Sequence, residues 1–272
     1  MIKIVPWADR KLSMKNWRKI WNLFPYGEIC MTENSLEWVK QNWAEKVARY
    51  YVSRGREFSV EIENPLLCTN FIYNLLLIGV KKFYFHWAGI TEVSFISAFE
   101  ILSYIMSLQQ EFKDVEFVII YIPPMTEKHD YTKQEYIETS VACMAELTKD
   151  NDKVRLVYRR PHPFGGSLRM QKVQDIEEYI VKNHIKYECY LEYPCGCITI
   201  TPNTNIYCCP FCKRKIRKKK FGDALRDKFV IGTIEKGIVR EIDCDYCYLK
   251  TDYYRNNEDP MKRITYKEIG GL

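Results

Sequence analysis

The sequence lacks several features that would assign it quickly to a class. No run of about 18 uncharged apolar residues occurs, because the most apolar candidate, residues 71–80, contains Asn74 and is followed by two lysines. We therefore expect no membrane span. Residues 1–10 contain no apolar segment followed by a small-residue cleavage site, so we expect a cytoplasmic protein. No P-loop, GxGxxG fingerprint or Ser/His/Asp arrangement is present, so nucleotide-binding and hydrolase functions have no support.

Size and charge are those of an ordinary globular protein. The chain has 272 residues, of which 47% are hydrophobic, and a chain of this length buries roughly three quarters of its unfolded surface. The formal net charge of +6 is modest, but residues 213–220 place seven positive side chains in eight positions. They are Lys213, Arg214, Lys215, Arg217, Lys218, Lys219 and Lys220. This basic run predicts either a solvated loop or contact with an anionic partner, nucleic acid or an acidic protein.

Cysteine spacing is the strongest signal in the chain. Eight of the 11 cysteines lie between Cys189 and Cys247. Apart from Cys189, these cysteines form the clusters Cys195-Gly-Cys197, Cys208-Cys209-Pro-Phe-Cys212 and Cys244-Asp-Tyr-Cys247. Two C-x-x-C pairs separated by about thirty residues can hold one metal ion from two sides. Because no export signal is present, metal ligation is favoured over disulfides.

The spacing leaves the metal and its ligands open. By spacing alone the four ligands are Cys209, Cys212, Cys244 and Cys247, a zinc-ribbon-like set. Eight cysteines also suffice for two four-ligand sites, and thiolates suit both zinc and iron–sulfur clusters. A closed all-cysteine site is typical of a structural or electron-relay role. The remaining cysteines, Cys30, Cys68 and Cys143, lie in apolar stretches and are expected to be buried as small hydrophobes.

Strand-like and helix-like periodicities alternate before residue 160. Predicted strands are 1–5, 28–31, 58–63, 80–86, 115–122 and 153–158. Predicted helices are 11–22, 33–54, 69–78, 93–112 and 133–147, with Gly79 ending the third. This order predicts an α/β fold, a partial (βα)6-type barrel with a parallel sheet. We expect the barrel to span residues 1–165 and a small Cys-rich metal-binding domain to span 166–272, with the Pro and Gly residues of 161–166 at the boundary.

A few polar residues of the predicted barrel are candidates for a ligand site. His86 ends a predicted strand, at the carboxyl mouth where ligand sites of such folds lie. Glu61 and Glu63 alternate onto one face of another strand, where they would bind a ligand or face solvent. His86 and His162 are otherwise read as packed, hydrogen-bonded histidines.

Several stretches resemble radical SAM enzymes with a C-terminal SPASM or twitch domain. The segment Cys197-Ile-Thr-Ile-Thr-Pro-Asn-Thr-Asn-Ile-Tyr-Cys208 is similar to that family's first auxiliary-cluster hairpin, with Asn203 or Asn205 where a glycine of positive φ is usual. Val230-Ile-Gly-Thr-Ile-Glu235 and Cys244-Asp-Tyr-Cys247 are similar to the segments that follow it. The resemblance implies a [4Fe–4S] cluster or zinc held by Cys197, by Cys208 or Cys209, and by Cys244 and Cys247.

In the amino-terminal half the resemblance is weaker but keeps the same order. Tyr26-Gly-Glu-Ile29 resembles the turn that contacts the amino group of SAM, which implies that Gly27 and Glu28 bind this cofactor. The segments Gly79-Val-Lys-Lys-Phe-Tyr-Phe85 and Phe164-Gly-Gly166 resemble a strand and a late loop of the family.

One departure from the family pattern bears directly on activity. The family's C-x-x-x-C-x-x-C loop is absent, since Cys208 and Cys212 are followed by Lys215 at the third position. Without an open iron site this chain alone should not cleave SAM, so the resemblance implies a degenerate member that acts with a catalytic partner on a peptide or protein. The alternatives from other classes are a zinc-ribbon nucleic-acid-binding protein that uses the basic run, and a structural scaffold subunit.

Overall fold

Helices and strands alternate along most of the described chain. The computed structural model describes residues 2–4, 12–33, 42–88, 92–122, 148–159, 189–192, 198–201, 203–207 and 230–239. The chain divides into two compact units, which we name unit 1 (Met1–Asn34 with Pro194–Leu272) and unit 2 (Ser35–Tyr193). Among the described residues no helix is both long enough and apolar enough to traverse a bilayer.

The elements are numbered in chain order. The helices are α1 (Met14–Leu23), α2 (Trp43–Val52), α3 (Thr69–Ile78) and α4 (Glu92–Glu111), with a 3-10 turn at Pro65–Leu67. The strands of unit 2 are β3 (Phe58–Ile62), β4 (Lys82–Ala88), β5 (Glu116–Ile122), β6 (Val154–Arg159) and β7 (Cys189–Glu192). The strands of unit 1 are β1 (Ile2–Ile4), β2 (Ile29–Glu33), β8 (Ile198–Ile200), β9 (Asn205–Tyr207), β10 (Val230–Thr233) and β11 (Gly237–Ile238).

Unit 2 contains a five-stranded parallel sheet in the order β3-β4-β5-β6-β7. The order follows the chain without a reversal. Because crossovers between parallel strands share one hand, a sheet wound in one direction carries its connecting helices on one face. The α/β character and the parallel sheet predicted from the sequence are confirmed.

The helix-covered face of this sheet is a dense aromatic layer. Tyr51 of α2 stacks on Phe58 of β3 with ring centroids 5.4 Å apart, which identifies the face that the helices cover. Phe83, Phe85 and Phe117 belong to the same face by register, and their rings contact one another at centroid distances of 5.4 to 6.0 Å. All three are fully buried, so this layer is the core of unit 2.

Local sequence signals position the elements of unit 2 well. Helix α3 begins at Thr69 and ends at Ile78, as predicted, because Gly79 adopts a left-handed conformation with φ of 99°. The next strand is β4, whose predicted bounds differ from the observed ones by two residues at each end. The predicted helix at 93–112 and strands at 115–122 and 153–158 are likewise confirmed as α4, β5 and β6 to within one residue.

Unit 1 joins distant parts of the sequence in a mixed sheet of order β11-β10-β9-β8-β1-β2. Strand β1 pairs in parallel with β2 and with β8, placing Ile2 beside both Ile29 and Ile198. Strands β8 to β11 pair antiparallel with their sequence neighbours. Ile29, Met31, Ile198, Ile200, Ile206 and Ile231 of these strands are buried and belong to the core of unit 1.

Close packing in unit 1 requires a glycine in β10. A Cβ atom on Gly232 would lie 2.0 Å from the carbonyl oxygen of Gly237 and 2.9 Å from the Cα of Ile238. Both are backbone atoms of the neighbouring strand, which cannot move aside as a side chain can. Gly232 is therefore the residue that lets β10 and β11 pair.

Helix α1 is fixed at its start and along its length. The Ser13 hydroxyl accepts a hydrogen bond from the backbone amide of Asn16 at 3.2 Å, which caps the helix. Trp17 and Ile20 are fully buried. Lys19 forms an ion pair with Glu235 in the turn between β10 and β11. These contacts tie the helix to the carboxyl-terminal strands of the same unit.

One predicted element start is wrong. The helix expected to begin at Glu33 begins at Trp43, because Glu33 is the last residue of β2, which extends two residues beyond its predicted end. The predicted helix at 133–147 and the domain boundary near 165 lie outside the described residues. The division into 1–165 and 166–272 stays a prediction.

Candidate functional site

The face of the unit 2 sheet opposite the helices carries a buried acid–imidazole pair. Glu61 of β3 and His86 of β4 are in contact through Oε1 and Nε2 at 2.8 Å. Their side chains are only 7% and 12% exposed. An ionised carboxylate can only accept a hydrogen bond, so the imidazole is the donor when Glu61 is ionised. A glutamate inside a sheet is costly to bury, and this contact offsets that cost.

The neighbourhood of the pair is largely apolar and closed. Tyr84 stands beside Glu61 in register, and Val118 and Ile120 of β5 continue the same face. All three are buried, with exposures of 7%, 3% and 0%. A hydrogen bond between an acid and an imidazole is stronger in such surroundings than in water.

Ion pairs cover the amino ends of the same strands. The Glu116 carboxylate pairs with Arg155 and lies 3.7 Å from the Lys82 ammonium group. These three residues open β4 and β5 and the start of β6. The Glu61–His86 pair lies further along the strands, toward their carboxyl ends, which is the side at which ligand sites form in parallel α/β sheets.

The contact between Glu61 and His86 determines what chemistry the pair can perform. A carboxylate that accepts from an imidazole fixes the tautomer and orientation of the ring, which prepares it for hydrogen bonding or proton transfer. The interpretation of His86 as a packed, hydrogen-bonded histidine agrees with this geometry, and Glu61 does not face solvent. Glu63, the third polar residue of that group, is exposed, and His162 lies outside the described residues.

The residues predicted to bind metal adjoin a described hairpin. Strands β8 and β9 are antiparallel, with Thr199 opposite Tyr207 and Ile200 opposite Ile206. Cys197 precedes β8 and Cys208 follows β9 in the sequence. The register therefore brings the two chain ends that lead to these cysteines to the same end of the hairpin.

The turn of this hairpin differs from the prediction for it. Thr204, with φ of 70°, has the left-handed conformation that was assigned to Asn203 or Asn205. Asn203 instead accepts a hydrogen bond from the Thr201 hydroxyl through its side chain. The backbone amide of Thr204 donates to the Thr201 carbonyl oxygen at 2.8 Å. The hydrogen bonds of Thr201 set the turn, so the local preference of asparagine does not decide it.

Inside the hairpin one hydroxyl has no hydrogen bond. Thr199 is fully buried, and its Oγ1 has no partner among the residues that the structure describes. Thr201, two residues further on, is also buried, but its hydroxyl lies against Asn203 and 3.3 Å from the carbonyl oxygen of Asn205. Buried hydroxyls without partners are uncommon, because each costs desolvation free energy without return.

Gly27 and Glu28, the residues implied to bind SAM, precede β2. Gly27 has a positive φ of 87°, and nothing lies within 4 Å of the position its Cβ would take. Ile29, the first residue of β2, pairs with Ile2 of β1, so both residues stand at the amino ends of these parallel strands. Ligands of parallel α/β sheets gather at the carboxyl ends instead. SAM binding by these two residues stays a prediction.

The isolated cysteines behave as expected where they are described. Cys30 and Cys68 form no disulfide and are 0% and 2% exposed, which confirms them as buried small residues. Cys68 precedes α3 near Tyr104, whose hydroxyl donates to the Thr69 carbonyl oxygen at 3.2 Å. Burial, together with the charge of Cys68, raises the pKa of Tyr104 to about 12. Cys143 lies outside the described residues.

Most of the predicted metal ligands lie outside the residues that the structure describes. Cys189 is the first residue of β7, beside Leu156 of β6, and thus belongs to unit 2. Across the described ranges no three His, Cys, Asp or Glu side chains are grouped so that they could hold a metal ion. The candidate site residues that lie outside these ranges are the whole basic run and the cysteines Cys195, Cys197, Cys208, Cys209, Cys212, Cys244 and Cys247.

Two features of the site were missed in the sequence. The pairing of Glu61 with His86 depends on the β3–β4 register, although strand alternation alone placed Glu61 on one face. Thr199 lies in the segment Ile198-Thr-Ile-Thr201, whose alternation signals two threonines on one face of a buried strand. That signal was available and predicts buried hydroxyls.

Comparisons with known proteins give no assignment. No model of a protein family matches the chain, and no curated protein matches it.

Proposed function

We propose that this chain is a metal-centre protein of the radical SAM and SPASM type, in which C-terminal cysteines hold an iron–sulfur cluster or zinc and the SAM-cleaving loop is absent. The observation that carries the proposal is the β8–β9 register, which brings the chain ends leading to Cys197 and Cys208 to one end of a hairpin. A metal centre needs its ligands to converge from separate segments.

The residues present fit such a group in two respects. Thiolates are the ligands that both zinc and iron–sulfur clusters take, and the Cys244-x-x-Cys247 pair supplies a second segment. The buried Thr199 hydroxyl without a described partner lies on the last described pair before the cysteines. A hydrogen-bond donor at this place is what a negatively charged metal–thiolate group requires.

The expected ligands are Cys197, one of Cys208 and Cys209, Cys244 and Cys247. An iron–sulfur cluster would supply electron transfer, and zinc would supply rigidity to a small domain. The chain's own residues orient the hairpin: Thr201 sets its turn, and Gly232 permits the neighbouring strand pair to close.

We further propose that the sheet of unit 2 belongs to a partial (βα)6-type barrel. Its winding in one direction, with helices on one face, supports this architecture. The sheet face that carries Glu61 and His86, toward the carboxyl ends of its strands, is where such a barrel would present groups to a ligand. In this proposal a partner supplies SAM cleavage, and the substrate is a peptide or protein.

Cysteine substitution with matched controls tests the proposed metal centre. Cys197→Ser and Cys244→Ser are expected to lose most of the iron or zinc that anaerobically purified wild-type protein contains. Cys30→Ala and Cys68→Ala remove buried thiols that form no disulfide, and both should keep wild-type metal content. Equal metal content in all four variants would overturn the proposal.

A further inference from the structure

Large apolar side chains lie on the solvent side of the helix layer of unit 2. Helix α3 stands between α2 and α4. The Asn74 amide donates to Oε1 of Glu45 on α2 at 3.0 Å, and the Tyr73 hydroxyl donates to Oε1 of Glu111 on α4 at 2.8 Å. On the outer side of α3, Leu77 is 62% exposed and Tyr73 is 37% exposed. Because the two residues are four positions apart, they form one apolar stripe along this helix.

The helices that flank this stripe carry charges of opposite sign. The exposed charged residues of α2 are Lys46 and Arg49, both positive. On α4 the exposed charged residues that the structure describes are Glu100 and Glu111, and the helix contains no lysine or arginine. The surface therefore runs from a basic edge across an apolar middle to an acidic edge. We name it the three-helix surface, made of Lys46, Arg49, Tyr73, Leu77 and Glu111.

The contacts of α3 also set the charges at one level along the helices. Each of the three helices leads into a strand of the parallel sheet, so all three run in the same direction. Lys46 follows the α2 residue that contacts Asn74, and Glu111 contacts Tyr73, the neighbour of Asn74. A helix advances 1.5 Å per residue, so Lys46 and Glu111 stand at nearly the same level and Arg49 about 5 Å further along.

We propose that the three-helix surface binds the same surface of a second copy of this chain, about a two-fold axis parallel to the helices. Such a rotation puts α3 against α3, and it puts α2 of each copy against α4 of the other. Leu77 and Tyr73 then meet their own counterparts, while Lys46 and Arg49 of each copy meet Glu111 of the other. An axis across the helices would oppose α2 to α2 and set like charges together, so the charge pattern selects the parallel axis.

The composition of the surface fits an interface of modest strength. Exposed apolar side chains rimmed by charged ones are typical of protein-binding surfaces, and tyrosine is enriched there. Helices α2 and α3 have ten residues each, so each is about 15 Å long. A surface of this size lies at the small end of specific interfaces, and we expect the dimer to dissociate at micromolar concentration. The proposal does not depend on the metal centre, because all of its residues belong to unit 2.

Sedimentation equilibrium of the full chain tests the dimer. Between about 1 and 300 µM the wild type should convert from monomer to dimer, and a monomer at every concentration would overturn the proposal. Leu77→Asp sets two like charges against each other and should weaken association about tenfold or more. Met106→Asp is the matched control, because Met106 is also 62% exposed but lies on the side of α4 away from α3. It should associate within about threefold of the wild type, and an equal loss in both variants would contradict the assigned surface.

Charge reversal tests the direction of the two-fold axis. The variant with Lys46→Glu and Arg49→Glu, and the variant Glu111→Lys, should each associate about tenfold or more weakly than the wild type. Their equimolar mixture should recover association close to that of the wild type, because every contact between α2 and α4 then joins opposite charges. A mixture that associates no better than its separate components would overturn the arrangement.

A control for net charge uses another helix. Lys15 and Arg18 of α1 are exposed and have the same spacing as Lys46 and Arg49. Lys15→Glu with Arg18→Glu changes the net charge by the same amount and should leave dimerisation within about threefold of the wild type. A loss as large as that of the α2 variant would show that net charge, and not the three-helix surface, controls association.

Discussion

A double-mutant cycle on Glu61 and His86 would measure how strongly these two side chains interact. The two side chains contact at 2.8 Å and are 7% and 12% exposed, so solvent screens their interaction little. A hydrogen bond to a charged group contributes about 1.5–3 kcal/mol under such conditions. We therefore expect a coupling free energy of about 1.5–3 kcal/mol between Glu61→Gln and His86→Gln.

Urea unfolding followed by circular dichroism gives the four free energies of unfolding that the cycle requires. The matched control is the same cycle on Glu116 and Arg155, which also pair across neighbouring strands but are 31% and 52% exposed. Exposed pairs contribute about 0.2–1 kcal/mol, so this coupling should be the smaller one. A coupling for Glu61 and His86 no larger than that of the control would refute the reasoning.

Three further outcomes follow from individual contacts. Gly232→Ala should destabilise unit 1 by about 1–3 kcal/mol, because its Cβ would meet the Gly237 carbonyl oxygen at 2.0 Å; unchanged urea unfolding would contradict this. Thr204→Asn should stabilise the chain by up to about 1 kcal/mol, since Thr204 has φ of 70°; a loss of stability would argue against strain there. Burial raises the pKa of Tyr104 to about 12 from 10.0, so the neutral phenol stabilises the fold fully below pH 10. This stability should fall between pH 10 and 12 and fall less in Tyr104→Phe, as alkaline unfolding would measure.

Local periodicity predicted most elements of unit 2, because neighbouring residues determine them, but it did not predict β7 (Cys189–Glu192). The run from Thr69 to Ile78 has apolar residues throughout and a glycine at its end, and the observed helix has these bounds. Strand β3 alternates with period two, which placed Glu61 on one face before its partner was known. These features need no information from distant parts of the chain.

Features that depend on distant pairing could not be obtained in this way. Strand β2 continues to Glu33, two residues beyond its last pair with β1 at Met31, so the start of the following helix was misplaced. The parallel pairing of β1 with β8 joins residues almost 200 positions apart in the sequence, and no local signal encodes it. The turn at Thr204 is likewise set by two hydrogen bonds of Thr201, whose carbonyl accepts from the Thr204 amide and whose hydroxyl donates to Asn203. They outweigh the preference of the adjacent asparagines for positive φ.

The candidate metal site likewise has a part that local sequence predicts and a part that depends on strand pairing. Cysteine spacing predicts a metal because thiolate pairs have a characteristic separation. The convergence of the two chain ends that lead to Cys197 and Cys208 depends on the β8–β9 register, which spacing does not contain. Alternation in a short strand shows which residues share a face, but only pairing shows which residues lie opposite one another.

Metal and sulfide analysis of anaerobically purified wild-type protein tests the central claim most directly. We expect at least one metal centre per chain, either as iron with acid-labile sulfide and absorbance near 400 nm or as about one zinc in a colourless protein. Protein that contains neither metal, and in which all 11 cysteines react as free thiols after unfolding without a reductant, would contradict the claim.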